Sequence, residues 1–271
     1  MNARINDCQS GRDANHHAER TMNVKLRRTP ALAMAGLAAL LTLCACGSSR
    51  TVHDQHVFSF RGTRLVIDDP TSDLRLVPGS GPGIQVQRWL SGTAAKPGHA
   101  SWTLNGDTLR LSIDCSGLVF SCGSRFQVAV PPDLPVVAHS GSGNDTVSGL
   151  SGAVVIDGSA GTVQLSDTSG PLQVSTGSGN ITASAIRSPI VRATSNQGSV
   201  DIGLAAAPHL LDIRCMTGNA TVRIPVAGHR YHVVVTTGTG TARSKVPDDR
   251  QSSSIVRVSS GNGNATVLPT S

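Results

Sequence analysis

Apolar and polar residues alternate in short runs through the second half of the chain, and a glycine follows each run. Alternation with a period of two predicts β-strands, and no stretch shows a helical period long enough to predict a helix. The alternating runs are residues 154–156, 172–174, 190–193, 211–213, 233–235 and 255–258. A second short apolar run follows each glycine, so one unit reads as strand, glycine-rich bend, strand and loop.

The glycines recur with a period that drifts around 20 residues. The anchor glycines are Gly143, Gly161, Gly179, Gly198, Gly218, Gly240 and Gly263, with spacings of 18, 18, 19, 20, 22 and 23 residues. Seven units at such a period are typical of a solenoid, in which stacked neighbours bury a core that one unit cannot bury alone. We expect each unit to form one turn of a β-helix with about three short strands.

The preceding region is also rich in predicted strands. Its alternating runs are residues 58–60, 64–67, 74–76, 84–86, 109–113 and 126–130. Most of the large aromatic residues lie here, where they could seal an open end of the stack. The pattern therefore predicts an all-β protein, a single-stranded β-helix or β-solenoid with an N-terminal β-rich cap or opening coils.

The N-terminal segment has the organisation of a bacterial lipoprotein signal. A basic segment, residues 25–28, precedes an apolar run, residues 30–43, that is too short for a permanent transmembrane helix. The small residue Ala45 then precedes Cys46, which resembles the lipobox cysteine that is acylated and becomes the mature N-terminus. Cys44 is a rival site, although a bulky leucine precedes it. An ordinary secretory signal with an incidental cysteine is the other alternative.

These features predict five segments. Residues 1–21 are polar and without periodicity, so Met22 is the expected initiator. The segments are a non-native extension (1–21), the lipoprotein signal peptide (22–45), a linker after the lipidated cysteine (46–54), the β-rich opening coils or cap (55–133) and the β-helix repeats (134–271).

Charge and acid content narrow the function classes. The net charge is +6, but residues 1–45 hold six basic and three acidic residues, which leaves 17 and 14 in the mature part. The basic balance is therefore weak evidence for nucleic acid, and we expect no nucleic-acid partner. The only glutamate is Glu19, so a general acid or base in the mature protein would have to be aspartate or histidine.

Three cysteines remain after Cys46. Cys115 and Cys122 flank a short loop between two predicted strands, and export permits oxidation, so we predict a disulfide between them. Cys215 follows the alternation of its run and is expected to be a buried apolar thiol. No set of residues has zinc-ligand spacing, and no metal or other cofactor is expected.

Residues 130–268 resemble the bacterial DUF4097 family of adhesin-like β-helix proteins. The resemblance is carried by alternating valine and isoleucine, by recurrent Ser-Gly-x-Gly motifs, and by a final Ser-Gly-Asn-Gly-Asn-Ala-Thr-Val at residues 260–267. Residues 55–130 resemble the family only loosely. Many members are lipoproteins or envelope proteins, and the family has no established catalytic residues. The resemblance implies a cell-surface β-solenoid of unassigned role.

Two motifs inside the repeats suggest chemistry and are better explained by the repeat itself. Residues 141–145 look like a calcium-binding β-roll fragment, but that chemistry needs carboxylates stacked turn after turn, and the acids here fall at different offsets. Four asparagines begin Asn-x-Thr triplets, which are glycosylation acceptors in eukaryotes. We interpret them instead as an asparagine ladder at the bend, with side-chain amides bonding between coils. They are Asn144, Asn180, Asn219 and Asn264.

An enzyme remains the alternative, because polysaccharide lyases and hydrolases also use β-helices. Such sites need paired acids and aromatic platforms. The densest acids, Asp68, Asp69 and Asp73, bracket a proline in what we interpret as a solvated turn. Trp89 and Trp102 could bind a ligand, but core or cap packing is the better interpretation.

Histidines give no stronger signal. His209, His229 and His232 surround one repeat without a matched nucleophile. The sequence therefore predicts a cell-surface lipoprotein, held on the extracytoplasmic face of the cell membrane by lipid on Cys46. We predict a non-catalytic role, binding an envelope protein or a cell-wall polymer or supporting the envelope. The alternative is a carbohydrate-active enzyme.

Overall fold

The computed structural model describes residues 51–116 and 121–270. The chain divides into two units, Met1–Cys46 and Gly47–Ser271, and the described residues all lie in the second. They form an all-β fold whose only described helix is the 3-10 turn Thr93–Ala95. The strands are β1 (Val52–Phe58), β2 (Leu65–Asp69), β3 (Asp73–Pro78), β4 (Ile84–Gly92), β5 (Ala100–Asn105), β6 (Thr108–Ile113), β7 (Cys122–Val130), β8 (Val136–Ser140), β9 (Asp145–Ser148), β10 (Val154–Ala160), β11 (Val163–Ser166), β12 (Leu172–Ser178), β13 (Ile181–Ile186), β14 (Ile190–Gln197), β15 (Val200–Leu204), β16 (Leu210–Thr217), β17 (Ala220–Ile224), β18 (His232–Thr239), β19 (Ala242–Ser244), β20 (Ile255–Asn262) and β21 (Ala265–Pro269).

The strands form two large mixed sheets. The first sheet has eleven strands in the order β1-β4-β7-β3-β9-β11-β13-β15-β17-β21-β19. The second sheet has ten, in the order β18-β20-β16-β14-β12-β10-β8-β2-β6-β5. Each repeat contributes one strand to each sheet, because the glycine-rich bend carries the chain from the second sheet to the first. The expectation of about three strands per unit is wrong, since the loop that closes each repeat contains no strand.

Strands of adjacent repeats pair in parallel with the offset of the sequence repeat. Val154 pairs with Leu172 in the second sheet, and Val163 pairs with Ile181 in the first, each 18 residues apart. Equivalent positions of neighbouring repeats therefore lie side by side, and in most of the repeat strands alternate residues point into one shared core.

The C-terminal repeats are not arranged in sequence order. Strand β20 pairs with both β16 and β18, and β21 pairs with both β17 and β19. The seventh repeat thus lies between the fifth and the sixth. The sixth repeat, which contains β18 and β19, forms one end of both sheets.

The opening region is built in a similar way. Strands β2 and β3 pair in parallel with β8 and β9 of the first repeat. Strands β6 and β7 lie beyond them, also parallel. Antiparallel strands then end the sheets, with β4 beside β7 and β1 beside β4 in the first sheet, and β5 beside β6 in the second.

The core consists of rows of small and medium apolar side chains. Strand β16 places Leu211 and Ile213 inside, and β20 places Val256 and Val258 beside them, all almost fully buried. Burying such a side chain stabilises the fold by roughly 1.5–3 kcal/mol, before the entropy lost on folding is subtracted. These side chains fit the narrow space between the sheets, which explains the scarcity of aromatic residues in the repeats.

The anchor glycines stack directly on one another. Gly179 has a φ of 145°, and a Cβ atom at this position would overlap the carbonyl oxygen of Gly161 in the neighbouring repeat. Gly218 and Gly263 stand in the same relation, which matches the inserted position of the seventh repeat. Glycine is needed at the bend both for its backbone angle and for this close approach.

Candidate functional site

One interior row of the second sheet is polar, and at one end it contains an acidic centre. Asp69 on β2 is the register partner of Ser140 on β8, and both side chains are buried. Asp145, the first residue of β9, enters from the opposite sheet. The Ser140 hydroxyl donates a hydrogen bond to Oδ2 of Asp145 at 2.5 Å. Alternation in β2 and β8 and the bend after β8 together bring these three residues to one place.

Burial governs the electrostatics of this centre. Burial, with smaller contributions from the charges of Asp69 and Asp73, raises the pKa of Asp145 to about 6, against the hydrogen bond from Ser140. Burial likewise raises the pKa of Asp69, against hydrogen bonds from Ser72. One oxygen of each buried carboxylate, Oδ2 of Asp69 and Oδ1 of Asp145, has no hydrogen-bond partner among the described residues.

The turn at residues 68–73 is less solvated than the sequence suggested. Oδ1 of Asp69 accepts hydrogen bonds from the backbone N–H groups of Ser72 at 3.0 Å and Thr71 at 3.4 Å, as expected for a turn. However, Asp69 is only 1% exposed, so the expectation of a solvated carboxylate is wrong at this position. Asp69 continues the alternation of Leu65 and Ile67, and that pattern could have placed it inside.

The buried pair can hold a proton but cannot meet a polymeric substrate. Asp69 and Asp145 are 1% and 2% exposed, so a sugar ring cannot lie between them without opening both sheets. Hydrolysis of a glycosidic bond needs two carboxyl groups on either side of the scissile bond. The centre is therefore better suited to tuning stability than to catalysis.

Charged side chains form a row on the outer face of the second sheet, next to this centre. Asp68, His139 and Asp157 are register partners on β2, β8 and β10. Asp68 pairs with Arg110 at 3.5 Å, and Asp157 lies 4.0 Å from His139. Asp68, Arg110 and His139 line an open groove of about 340 Å³, whose floor includes Asp69 and Ser140. The exposed acid of this groove, Asp68, is thus already paired with a basic side chain.

The asparagines at the bends form a ladder whose chemistry differs from our expectation. Each side-chain oxygen accepts a hydrogen bond from a backbone N–H of the neighbouring repeat, at 2.8–2.9 Å, rather than from another side-chain amide. The pairs are Asn144 with Thr162, Asn180 with Ser199, Asn219 with Asn264, and Asn264 with Thr241. The expected role between repeats is thus seen, with the backbone as donor.

The predicted cysteine sites fall in different parts of the chain. Cys46 lies outside the described residues. Cys115 and Cys122 are joined by a disulfide, with Cα atoms 6.1 Å apart. Cys215 is a buried free thiol on β16, as its alternation predicted.

The tryptophans lie at the end of the sheets where the described chain begins. Trp89 on β4 stacks on His53 with ring centroids 4.8 Å apart. Trp102 on β5 lies beneath the guanidinium of Arg88, 4.1 Å from its ring centroid, and Arg88 also pairs with Asp54. Both tryptophans are half-buried in contacts of this end, which favours the packing interpretation over a ligand platform.

The candidate histidines are not assembled into a site. His209 and His229 are exposed on loops, whereas Nδ1 of His232 lies 3.0 Å from Oδ1 of Asp248. A pocket of about 830 Å³ near Tyr231 also contains Asp248 and Asp249, and arginines pair with both acids.

Residues 51–116 and 121–270 hold no group of three or more histidine, cysteine or acidic side chains placed to bind a metal ion. Among the same residues, no helix has the length and apolar character needed to cross a membrane.

Comparison with known proteins places the fold. No protein-family model matches this sequence, and no curated protein matches it. A solved structure named "putative adhesin" from Parabacteroides distasonis ATCC 8503 is similar, with 13% identity, a TM-score of 0.50, and coverage of 82% of this chain and 98% of that one. A "putative adhesin" from Bacteroides fragilis NCTC 9343 has 13% identity, the same coverage and a TM-score of 0.48. At such identities the first likeness shows a shared all-β fold and nothing further.

Proposed function

We propose that this chain is a membrane-anchored lipoprotein of the cell surface, whose stacked repeats form a β-solenoid with a non-catalytic binding or structural role. The solenoid is supported by parallel pairing of each repeat with the next, by the offset that matches the sequence period, and by the stacked anchor glycines. The lipoprotein anchor is supported by the signal that ends at Cys46.

The outer face of the first sheet is the observation that carries the binding role. One row of register partners crosses six repeats and consists almost wholly of short polar side chains. The row is Thr146, Gln164, Thr182, Asp201, Thr221 and Thr266. Such a face offers many weak polar contacts along its length and no cluster of aromatic anchors. It suits an extended partner, such as a cell-wall polymer or an envelope protein.

The disposition of the acids favours binding over the carbohydrate-active alternative. Asp69 and Asp145 are buried, Asp68 and Asp157 lie beside basic side chains, and Asp201 pairs with Arg223. A catalytic groove concentrates ionisable groups with perturbed pKa values where substrate can reach them. In the described residues, the carboxyl group with the largest shift is instead enclosed by the two sheets.

An anchor at Cys46 would fix the orientation of the protein at the membrane. Strand β1 begins at Val52, so residues 47–51 alone would connect the lipid to the first sheet. More than one acyl chain makes such anchoring durable, at roughly 0.8 kcal/mol per buried methylene. The end of the sheets that contains β1 would then lie nearest the membrane, with the repeats extending away from it.

Fractionation of cells that express full-length variants tests the proposal. We expect the wild-type protein and a Cys44→Ala control to remain with membranes and to show an acylated Cys46 by mass spectrometry. The Cys46→Ala variant should be released to the medium or accumulate unprocessed. Membrane retention of Cys46→Ala, together with an unmodified mature N-terminus in the wild-type protein, would contradict the proposal.

A further inference from the structure

Charge is unevenly distributed along the mature chain. Residues 187–271 contain nine arginine and lysine residues and four aspartates, whereas residues 46–186 contain eight and ten. Residues 187–271 are therefore basic, and the rest of the mature chain, residues 46–186, is slightly acidic. This concentration of positive charge makes the surface of the later repeats a candidate site for an anionic partner.

Strand register gathers three of these arginines on the outer face of the second sheet. Arg192 on β14 and Arg257 on β20 are both register partners of Asp212 on β16. Arg214 lies two residues after Asp212 and therefore points to the same face. We call Arg192, Arg214 and Arg257 the arginine patch. Adjacent strands are about 4.8 Å apart, so the patch spans about 10 Å across three strands.

The patch carries more positive charge than its surroundings neutralise. Arg214 pairs with Asp212 at 2.7 Å, and Asp212 is the one acid within the patch. Arg192 and Arg257 form no ion pair with any residue in 51–116 or 121–270, and all three arginines are exposed. Thr194 and Ser259, the register partners of Arg214, add hydroxyl groups to the same face.

We infer that the arginine patch binds a linear anionic polymer of the cell envelope whose repeats carry phosphate or carboxylate groups. The planar guanidinium forms paired hydrogen bonds with either group, and these charge-assisted bonds are stronger than neutral ones. Guanidinium groups on successive strands can engage successive groups of a polymer that crosses the strands. This inference rests on the proposed location at the cell envelope and adds a second binding face, with the chemical class of its partner.

Distance favours a polymer over the lipid surface. The strand order places β14 six strands from β5, which lies at the end of the second sheet nearest the proposed anchor. Six strand spacings amount to about 29 Å, whereas electrostatic attraction to a membrane is screened over about 8–10 Å at physiological salt. A patch that served lipid headgroups would lie at the opposite end.

Binding by the full-length protein in detergent tests the inference. The probes are inorganic polyphosphate, polygalacturonate, neutral dextran and glycerol phosphate, a soluble equivalent of an anionic lipid headgroup. The test variant combines Arg192→Gln, Arg214→Gln and Arg257→Gln. The matched control combines Arg61→Gln, Arg64→Gln and Arg75→Gln, which removes equal charge from exposed arginines of the opening region. Circular dichroism and thermal melting test whether both variants fold. If the triple patch variant does not fold, the single variants Arg192→Gln and Arg257→Gln replace it.

We expect the wild-type protein to bind at least one of the two polyanions and not dextran. The patch variant should lose at least about tenfold in affinity, because charge-assisted hydrogen bonds are removed, and the control variant less than about threefold. Equal losses in both variants, no binding to either polyanion, or tighter binding to glycerol phosphate than to both polyanions would each overturn the inference. None of these outcomes would change the membrane retention that depends on Cys46. Failure of this inference can therefore be distinguished from failure of the proposed lipoprotein function.

Discussion

At the residue scale, Asp145 is a buried acid whose ionisation costs stability. Its pKa in the folded protein, about 6, lies above its usual value of 3.8, so the folded state binds more protons between these values. Its contribution to stability is complete below pH 3.8 and is lost as pH rises through 6. We expect the free energy of unfolding to increase by about 1.4 kcal/mol from pH 8 to pH 5. Asp69, whose pKa is also raised by burial, adds to the same trend.

Denaturant unfolding at several pH values measures this effect. The Asp145→Asn variant should lose most of the pH dependence, and Asp157→Asn, which removes an exposed acid from a neighbouring strand, should retain it. Backbone hydrogen bonds from Ser116 and Val233 lower the pKa values of Asp114 and Asp248. The stability that these two acids contribute is therefore lost only as the pH falls below about 3.8, outside the range from pH 8 to pH 5. A stability that is constant or falls from pH 8 to pH 5 would contradict this account.

Gly179 tests the close approach of the stacked bends. A Cβ atom there requires a strained backbone angle and overlaps the Gly161 carbonyl oxygen, so Gly179→Ala should cost at least about 1–3 kcal/mol in the free energy of unfolding. Gly81→Ala is the matched control, because a Cβ at that position has no atom within 4 Å. Chemical denaturation of both variants should show a loss confined to Gly179→Ala, and equal effects would refute the stacking argument.

At the element scale, the bends are linked by asparagine side chains that accept backbone hydrogen bonds. Removing one acceptor, in Asn180→Ala, leaves the Ser199 N–H to water and should cost about 0.5–1 kcal/mol. In Asn180→Asp a carboxylate oxygen replaces the amide oxygen, so that variant should remain close to wild type. Comparable losses in both variants would show that the amide donor, and not the acceptor, provides the link.

The strands themselves were largely predictable from the sequence, and their partners were not. Alternation located β2, β3, β6 and β7 because each places apolar residues on one face. It did not indicate β5, whose apolar residues are few and only partly buried. The buried acid pair was missed because Asp69 and Asp145 lie 76 residues apart in sequence and meet only through the pairing of β2 with β8 and of β3 with β9.

At the scale of the whole molecule, repeats with the same alternation can pair in more than one order. Sequence order predicts β16 beside β18, yet β20 lies between them. The difference arises because every repeat presents the same apolar rows and a similar bend, so local patterns do not specify which neighbour is chosen.

Engineered disulfides distinguish the two orders. Arg214 and Ser259 are register partners on β16 and β20, so Arg214→Cys with Ser259→Cys should cross-link on mild oxidation. Arg214→Cys with Thr236→Cys should not, because β20 separates those strands. Mass spectrometry of the oxidised proteins identifies the cross-links. A disulfide between positions 214 and 236, with none between 214 and 259, would mean that the repeats stack in sequence order.

The central claim is that the polar outer faces bind envelope material without transforming it. The direct measurement is to incubate the purified full-length protein with isolated cell walls and capsular polysaccharides, and to follow both the bound fraction and the release of new reducing ends or unsaturated products. We predict saturable binding and no such products over the whole incubation. Turnover that disappears when one aspartate or histidine is changed would contradict the claim and would establish a carbohydrate-active enzyme.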